Sequence, residues 1–169
     1  MNDPALVIGP LGAQHDRETF SCGEPALDSY LQRQVSQDVR RRVAQVFVAI
    51  HDSPERIAGY YSLSAASFER GQLPQSLAKR LPHYPVPAAI LGRLAVDRAL
   101  QGKGLGELLL IDVARRVQRA SSAVAIYAIS VDAKDDRAQA FYERYGFQAF
   151  AEMPRRLFLP LRTIEKLGL

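Results

Sequence analysis

The stretch Ile90–Gly106, ILGRLAVDRALQGKGLG, constrains the fold more than any other part of the chain. Ile90, Leu91, Leu94, Ala95 and Val96 make a mostly apolar run of strand length, and Asp97 reads as the turn residue after it. Gln101-Gly102-Lys103-Gly104-Leu105-Gly106 follows, and its periodicity predicts a helix from Leu105 to Arg119. A helix that begins in glycines presents unpaired N–H groups and the positive end of its dipole. Without Cβ atoms in the way, an anion can approach that backbone closely. The stretch therefore reads as a phosphate cradle fed by a strand. Lys103 is followed by Gly104 rather than by Ser or Thr, so this is not a Walker loop. The spacing is G-x-G-x-G in mid-chain with no early βαβ unit around it, so it is not a dinucleotide fingerprint either.

The rest of the chain builds a mixed α/β domain around this unit, read as a single domain over residues 1–169. Ala5–Ile8 is a short first strand ended by Gly9-Pro10. From Pro25, suited to the first helical position, Leu27, Leu31, Val35, Val39 and Val43 recur at i+4, with Tyr30 on the same face. Arg40-Arg41-Arg42 ends that helix; the cations either complement its dipole or offer a surface to a phosphate backbone. Gln45–Ile50 and Ile57–Ser67 form a predicted hairpin. Glu69–Pro87 is a long connection carrying Pro74, Pro82, Pro85 and Pro87, with a short helix over Gln75–Leu81 that bears Lys79 and Arg80. Leu73, Leu77, Leu81 and Tyr84 argue that it is an ordered flap. A strand is expected over Ala123–Val131. The next helix is capped by Asp135 or Asp136, faced by Ala138, Phe141, Tyr142 and Tyr145, and stopped at Gly146. Phe147–Phe150 and Arg156–Leu161 are the last strands and Arg162–Leu169 a tail.

Composition narrows the function classes. The single cysteine, Cys22, rules out an internal disulfide and fits a reducing cytoplasm. MNDPALVIGPLG has neither the basic region nor the long apolar core of a secretory signal. No run reaches the roughly 20 apolar residues of a membrane span. A net charge of +4 favours anionic partners, coenzyme A and nucleic acid among them. No general base stands out: His15, His51 and His83 are read as standing in loops with no acidic partner nearby, and Cys22 lacks the adjacent His that nucleophilic use requires.

LGRLAVDRALQGKGLG followed by AKDDRAQAFYERYGF resembles the GNAT superfamily of acyl-CoA-dependent N-acyltransferases. Gln101–Gly106 matches the family's Q/R-x-x-G-x-G/A pyrophosphate loop, with Gln101 where Arg is commoner. Tyr142 falls at the family's tyrosine position. FSCGEPALDSYLQRQVSQDVRRRVAQVFVA, IAGYYSLSAAS, the LP…RLPHYPVP flap and LGRLAVD extend the resemblance, over about Phe20 to Leu161, to the GNAT toxins of bacterial toxin–antitoxin pairs.

The resemblance implies a GNAT fold: a central mixed sheet of six to seven strands with helices on both faces. Two strands, Ile90–Val96 and Ala123–Val131, would splay into a V holding the pantetheine arm. It implies acetyl-CoA as co-substrate and no metal. Leu94, Ala95, Val96, Gln101, Gly102, Lys103, Gly104, Leu105, Gly106, Asp135 and Phe141 would bind the cofactor, and Tyr142 would protonate the departing sulfur. The expected reaction acetylates the α-amino group of aminoacyl-tRNA and blocks translation. A cytoplasmic homodimer neutralised by an antitoxin of ribbon-helix-helix type is implied as well. Arg40, Arg41, Lys79, Arg80 and Arg93 are the expected RNA contacts, with Arg155-Arg156 as a further basic group. Arg93, a charge within an apolar strand, calls for an anionic partner, either an acceptor-stem phosphate or an internal Asp or Glu. Two other readings stay open: a stand-alone GNAT acting on a small amine or a protein N-terminus, and a catalytically silent acyl-CoA-binding module.

Overall fold

The computed structural model describes residues 6–168, so the expected first-strand residue Ala5 lies outside the described residues. The chain forms two compact units, Met1–Ser64 with Gly92–Val113, and Ala65–Leu91 with Ala114–Leu169. Seven strands make a mixed sheet whose order is β1-β2-β3-β4 in the first unit and β4-β5-β7-β6 in the second.

In the first unit, β1 (Val7–Pro10) pairs antiparallel with β2 (Gln45–Ile50), and β2 pairs antiparallel with β3 (Ile57–Phe68, which continues into the second unit). The predicted hairpin is therefore present. The predicted long helix is interrupted: α1 (Pro25–Ser29) passes through a π turn at Tyr30–Gln34 into α2 (Val35–Arg40). The apolar series explains the interruption. An i+4 spacing advances about 40° per step on a 3.6-residue helix, so its stripe drifts round the helix. A wider π turn takes up that drift and keeps Leu31 and Val35 buried, with Leu27 and Val39 packed on the same cluster. Val43 is not part of that face. The helix ends at Arg40, Arg42 turns left-handed at φ 61°, and Val43 is 57% exposed. Phe20, Tyr30, Val46, Val48, Ile57, Tyr60 and Ala95 complete this core.

In the second unit the flap is ordered, as its apolar residues predicted. After a 3₁₀ turn at Arg70–Gln72, α3 is confined to Gln75–Ala78. The Arg70 guanidinium donates to the carbonyl oxygens of Ala78 and Leu81, at 3.2 and 3.1 Å, and so closes the end of that short helix. Leu73 is buried with Ala128, Phe150 and Phe158, and Leu77 and Leu81 pack against them. β4 (Val86–Val96) begins earlier than Ile90 and pairs in parallel with β5 (Ala128–Asp132) from Ala88↔Ala128 to Leu91↔Val131.

A parallel pair needs a crossover, and α4 (Leu105–Ala120) supplies it. Its buried stripe is Leu105, Leu109, Leu110, Val113 and Val117, whereas Leu108 is 47% exposed. The strand expected from Ala123 starts only at Ala128, because Ser121–Val124 first close a turn off the helix end. α5 (Asp136–Arg144) is capped by Asp135 and followed by Gly146 at φ +97°. β6 (Gln148–Phe150) and β7 (Met153–Pro160) finish the sheet, with β7 antiparallel to β5. The expected tail is α6 (Leu161–Lys166), anchored by buried Leu161 and Ile164.

Candidate active site and acceptor surface

The glycine-rich loop Gln101–Gly106 lies in the first unit. Gln101, Gly102, Lys103 and Gly104 are all exposed, and Gly102 and Gly104 hold φ of +78° and +85°. That left-handed backbone is what the glycines are for, since an L side chain there is strained. A Cβ at either position would meet nothing within 4 Å, so the loop lines open space. The N–H groups of the first turn of α4, at Leu105, Gly106 and Glu107, precede the first i→i−4 bond, Leu108 N–H to the Gly104 carbonyl. Loop and dipole thus offer an anion site, with the Lys103 ammonium beside it.

Gln101 carries a role that its type did not reveal. Its side-chain amide donates to the carbonyls of Cys22 and Val96, at 2.8 and 2.9 Å, and ties the loop to the end of β4. The buried Asp97 carboxylate accepts from the N–H groups of Ala99 and Ser21 and holds the same corner. Asp97 is therefore the turn residue expected. On the neighbouring strand, a methyl group at Gly59 would lie 2.9 Å from the Ala95 carbonyl oxygen, so glycine permits that close approach.

The β4 ladder to β5 stops at Leu91↔Val131, while β4 itself continues to Val96. Arg93, Leu94, Ala95 and Val96 therefore run past the end of that pairing. An extended chain rich in amides, such as pantetheine, needs a strand segment of this kind to bond to.

Tyr142 lies in the second unit on α5. It is 7% exposed, and its ring packs edge-on against Phe141 and Phe147 at centroid distances of 5.2 and 5.3 Å. Burial pushes its phenol up to about 12, so the proton stays on through the working range of pH. Among the described residues its hydroxyl has no hydrogen-bond partner, unlike Tyr30, Tyr60 and Tyr61, whose hydroxyls are all bonded. A tightly packed ring with an unengaged O–H is a core residue that can also donate. Asp135 is occupied structurally: its carboxylate accepts from the Ala138 N–H at 2.8 Å as the α5 cap.

The basic groups separate into two kinds. Arg155 and Arg156 are paired internally, with Asp136 at 2.7 Å and Asp132 at 2.9 Å, so they do not form the open fourth group expected of them. Lys79, Arg80, Arg40, Arg41 and Arg42 are exposed and form no ion pair among the described residues. Arg93 has no carboxylate partner among the described residues; its guanidinium carbon lies 3.4 Å from the Tyr30 ring centroid.

The histidines differ in detail from expectation. His15 is buried, its Nδ1 accepting from the Gly12 N–H, and burial lowers its pKa. His51 does have an acidic neighbour, with Nδ1 3.1 Å from the Asp52 carboxylate, but without hydrogen-bond alignment. Among the described residues no cluster of His, Cys, Asp and Glu could hold a metal, and no helix is long and apolar enough to cross a membrane.

Residues 42–149 match the family model described as acetyltransferase (GNAT) domain. The chain belongs to the GNAT acetyltransferases. It is an acetyl-CoA-dependent N-acetyltransferase by family, and its mixed sheet is that of the family. Among GNAT proteins it is 36% identical over 152 residues, 90% of each chain, to the "tRNA-acetylating toxin" of Mycobacterium tuberculosis. It resembles the structure of AtaT complexed with acetyl-methionyl-tRNAfMet at 35% identity and a TM-score of 0.91, covering 98% of this chain and 100% of that one. A third relative is a Tyr-to-Phe mutant of the AtaT toxin bound to the C-terminus of the antitoxin AtaR and acetyl-CoA. There the identity is 32% and the TM-score 0.83, with 96% and 98% coverage.

Proposed function

We propose that this chain transfers the acetyl group of acetyl-CoA to the α-amino group of aminoacyl-tRNA, and that it acts as the translation-blocking toxin of a toxin–antitoxin pair. The observation that carries this reading is the full-length likeness to a toxin held with an acetylated aminoacyl-tRNA. In the same reading residues 1–169 act as one catalytic domain, a cytoplasmic homodimer, neutralised by an antitoxin of ribbon-helix-helix type.

The chemistry asks little of the protein. Gly102–Gly106 and Lys103 anchor the pyrophosphate, and Leu94–Val96, beyond the end of the β5 ladder, aligns the pantetheine amides. A backbone N–H near Val96 stabilises the developing oxyanion. The amine lone pair attacks the thioester carbonyl carbon, a C–N bond forms and the C–S bond breaks. Tyr142 gives its proton to the departing thiolate, and the acetylated amine releases its own proton to solvent. No base is needed to start, because an α-amine has a pKa of about 7.7–8.0, far below the ~10.4 of lysine, and esterification of the neighbouring carboxyl lowers it further.

The exposed cations of the flap give this reading a test. Neutralising both by Lys79→Gln and Arg80→Gln should raise KM for charged tRNA and reduce the salt dependence of kcat/KM by about 1.4–1.8 in log–log slope, at about 0.7–0.9 per phosphate contact. Wild-type acetylation should fall steeply between about 50 and 200 mM salt for the same reason. Acetylation indifferent to salt and to both charges would point instead to a small-amine acceptor.

A further inference from the structure

Arg93 sits on β4 in a half-buried position where an unpaired cation is costly. Among the described residues its guanidinium forms no ion pair and faces an aromatic ring. The guanidinium lies 3.4 Å over the Tyr30 ring, a contact distance at which the ring face attracts a cation. Tyr30 is 4% exposed, and its hydroxyl donates to the Asp38 carboxylate at 3.0 Å. Tyr60, whose hydroxyl donates to the Leu27 carbonyl at 2.7 Å, is the other phenol near enough to feel the Arg93 charge. Burial and the Asp38 bond hold the Tyr30 phenol up at about 12, so neither ring supplies an anion.

The π turn begins at Tyr30, and single π turns are frequent where a helix serves a functional site. The arrangement is therefore layered. Asp38 fixes the tip of a buried tyrosine, the tyrosine face fixes the plane of a guanidinium, and the N–H edge of that guanidinium has no partner among the described residues. Stacking leaves the in-plane donors of an arginine available, and their fork geometry matches a phosphate.

We propose that Tyr30 is a positioning residue, whose ring holds Arg93 so that its free donor edge receives a phosphate of the acceptor RNA strand. This rests on the charged-tRNA reading above. It goes further by naming the device that lets one cation persist on an apolar strand.

The test measures kcat, KM and the salt dependence of kcat/KM for charged tRNA, with acetyl-CoA affinity followed by calorimetry. Arg93→Gln should raise KM for charged tRNA by about tenfold and lower the log–log salt slope by about 0.7, one single-strand phosphate contact. Tyr30→Leu should reproduce much of that change, and should add little to it in the Arg93→Gln background, because the two act as one unit. Tyr30→Phe keeps the ring and should retain most of the affinity. Asp38→Ala, a change at a partly exposed position, should cost about two- to threefold in KM, the scale of one lost hydrogen bond. It keeps the test decisive even if Tyr30→Leu fails to fold.

Independent, additive effects of Tyr30→Leu and Arg93→Gln would overturn the proposal. So would an unchanged KM and salt slope in Arg93→Gln. A loss of acetyl-CoA affinity in place of RNA affinity would assign the phosphate to the cofactor and likewise overturn it. Wild-type protein that acetylates no charged tRNA would remove the functional reading itself, and this inference with it. That result is distinct from active wild type with unaffected variants.

Discussion

Tyr142→Phe should lower kcat by about 10²-fold or more while folding and acetyl-CoA affinity stay near those of the wild type. The ring contacts with Phe141 and Phe147 survive the change, so the packing that places this side chain is retained. The hydroxyl bonds to nothing among the described residues, so its removal leaves no partner unsatisfied and costs little stability. What disappears is a proton that burial keeps in place up to about pH 12. The raised pKa also sets the pH behaviour. The acid form is the one needed, and it persists below that value, so activity should not fall through neutral and moderately alkaline pH because of Tyr142. The same sign holds for stability: the neutral phenol is favoured on folding, and its contribution is lost only as pH rises from about 10 towards about 12. Steady-state kinetics with a thermal melt check both halves. Retention of most of the activity would reduce Tyr142 to a packing residue.

Gly104→Glu should weaken acetyl-CoA binding by about 10²-fold or more. The reason differs from simple crowding, because a Cβ at Gly104 would meet no protein atom within 4 Å. Gly104 sits at φ +85°, where an L residue costs about 1–2 kcal/mol. The new carboxylate would also occupy the helix N-terminal site that a phosphate requires, reversing an attraction of up to about 2 kcal/mol. Together these correspond to about two decades of affinity. Gly104→Ala adds the strain without the charge and should lose roughly half of that in logarithmic terms. Calorimetric titration of both folded variants, alongside the wild type, measures the two contributions separately. Unchanged affinity in Gly104→Glu would move the pyrophosphate away from this loop.

How much of this could be read in the sequence depended on how local the signal was. Gln101–Gly106 was legible because glycines at a helix start state a backbone requirement directly. The α5 segment was legible for similar reasons, with an Asp cap, an aromatic face and a terminal glycine. The drift of the i+4 series of Leu27 to Val39 was also present in the spacing, but choosing a π turn to absorb it required the packed core. α6 was missed because two apolar residues, Leu161 and Ile164, are too few to mark a helix that tertiary burial stabilises. The start of β5 was misplaced because apolar Ala123–Ala125 look like strand until the turn after α4 is seen.

In the candidate site, charge counting could not tell open cations from paired ones. Arg155 and Arg156 find Asp136 and Asp132 only through the register of β5 and β7 and the position of α5. Arg93 was marked as needing a partner, yet a distant tyrosine face is invisible to spacing. Gln101 looked like a loop residue missing a charge, and proves to be a clamp on two carbonyls.

The central claim, transfer of acetyl to the α-amine of charged tRNA, is tested most directly by incubating the purified protein with radiolabelled acetyl-CoA and total charged tRNA. The account predicts label in the RNA fraction, absent when the tRNA has been deacylated beforehand, and recovered as an N-acetylated amino acid on mild alkaline treatment. Label confined to small amines or to protein N-termini, with none on charged tRNA, would contradict it.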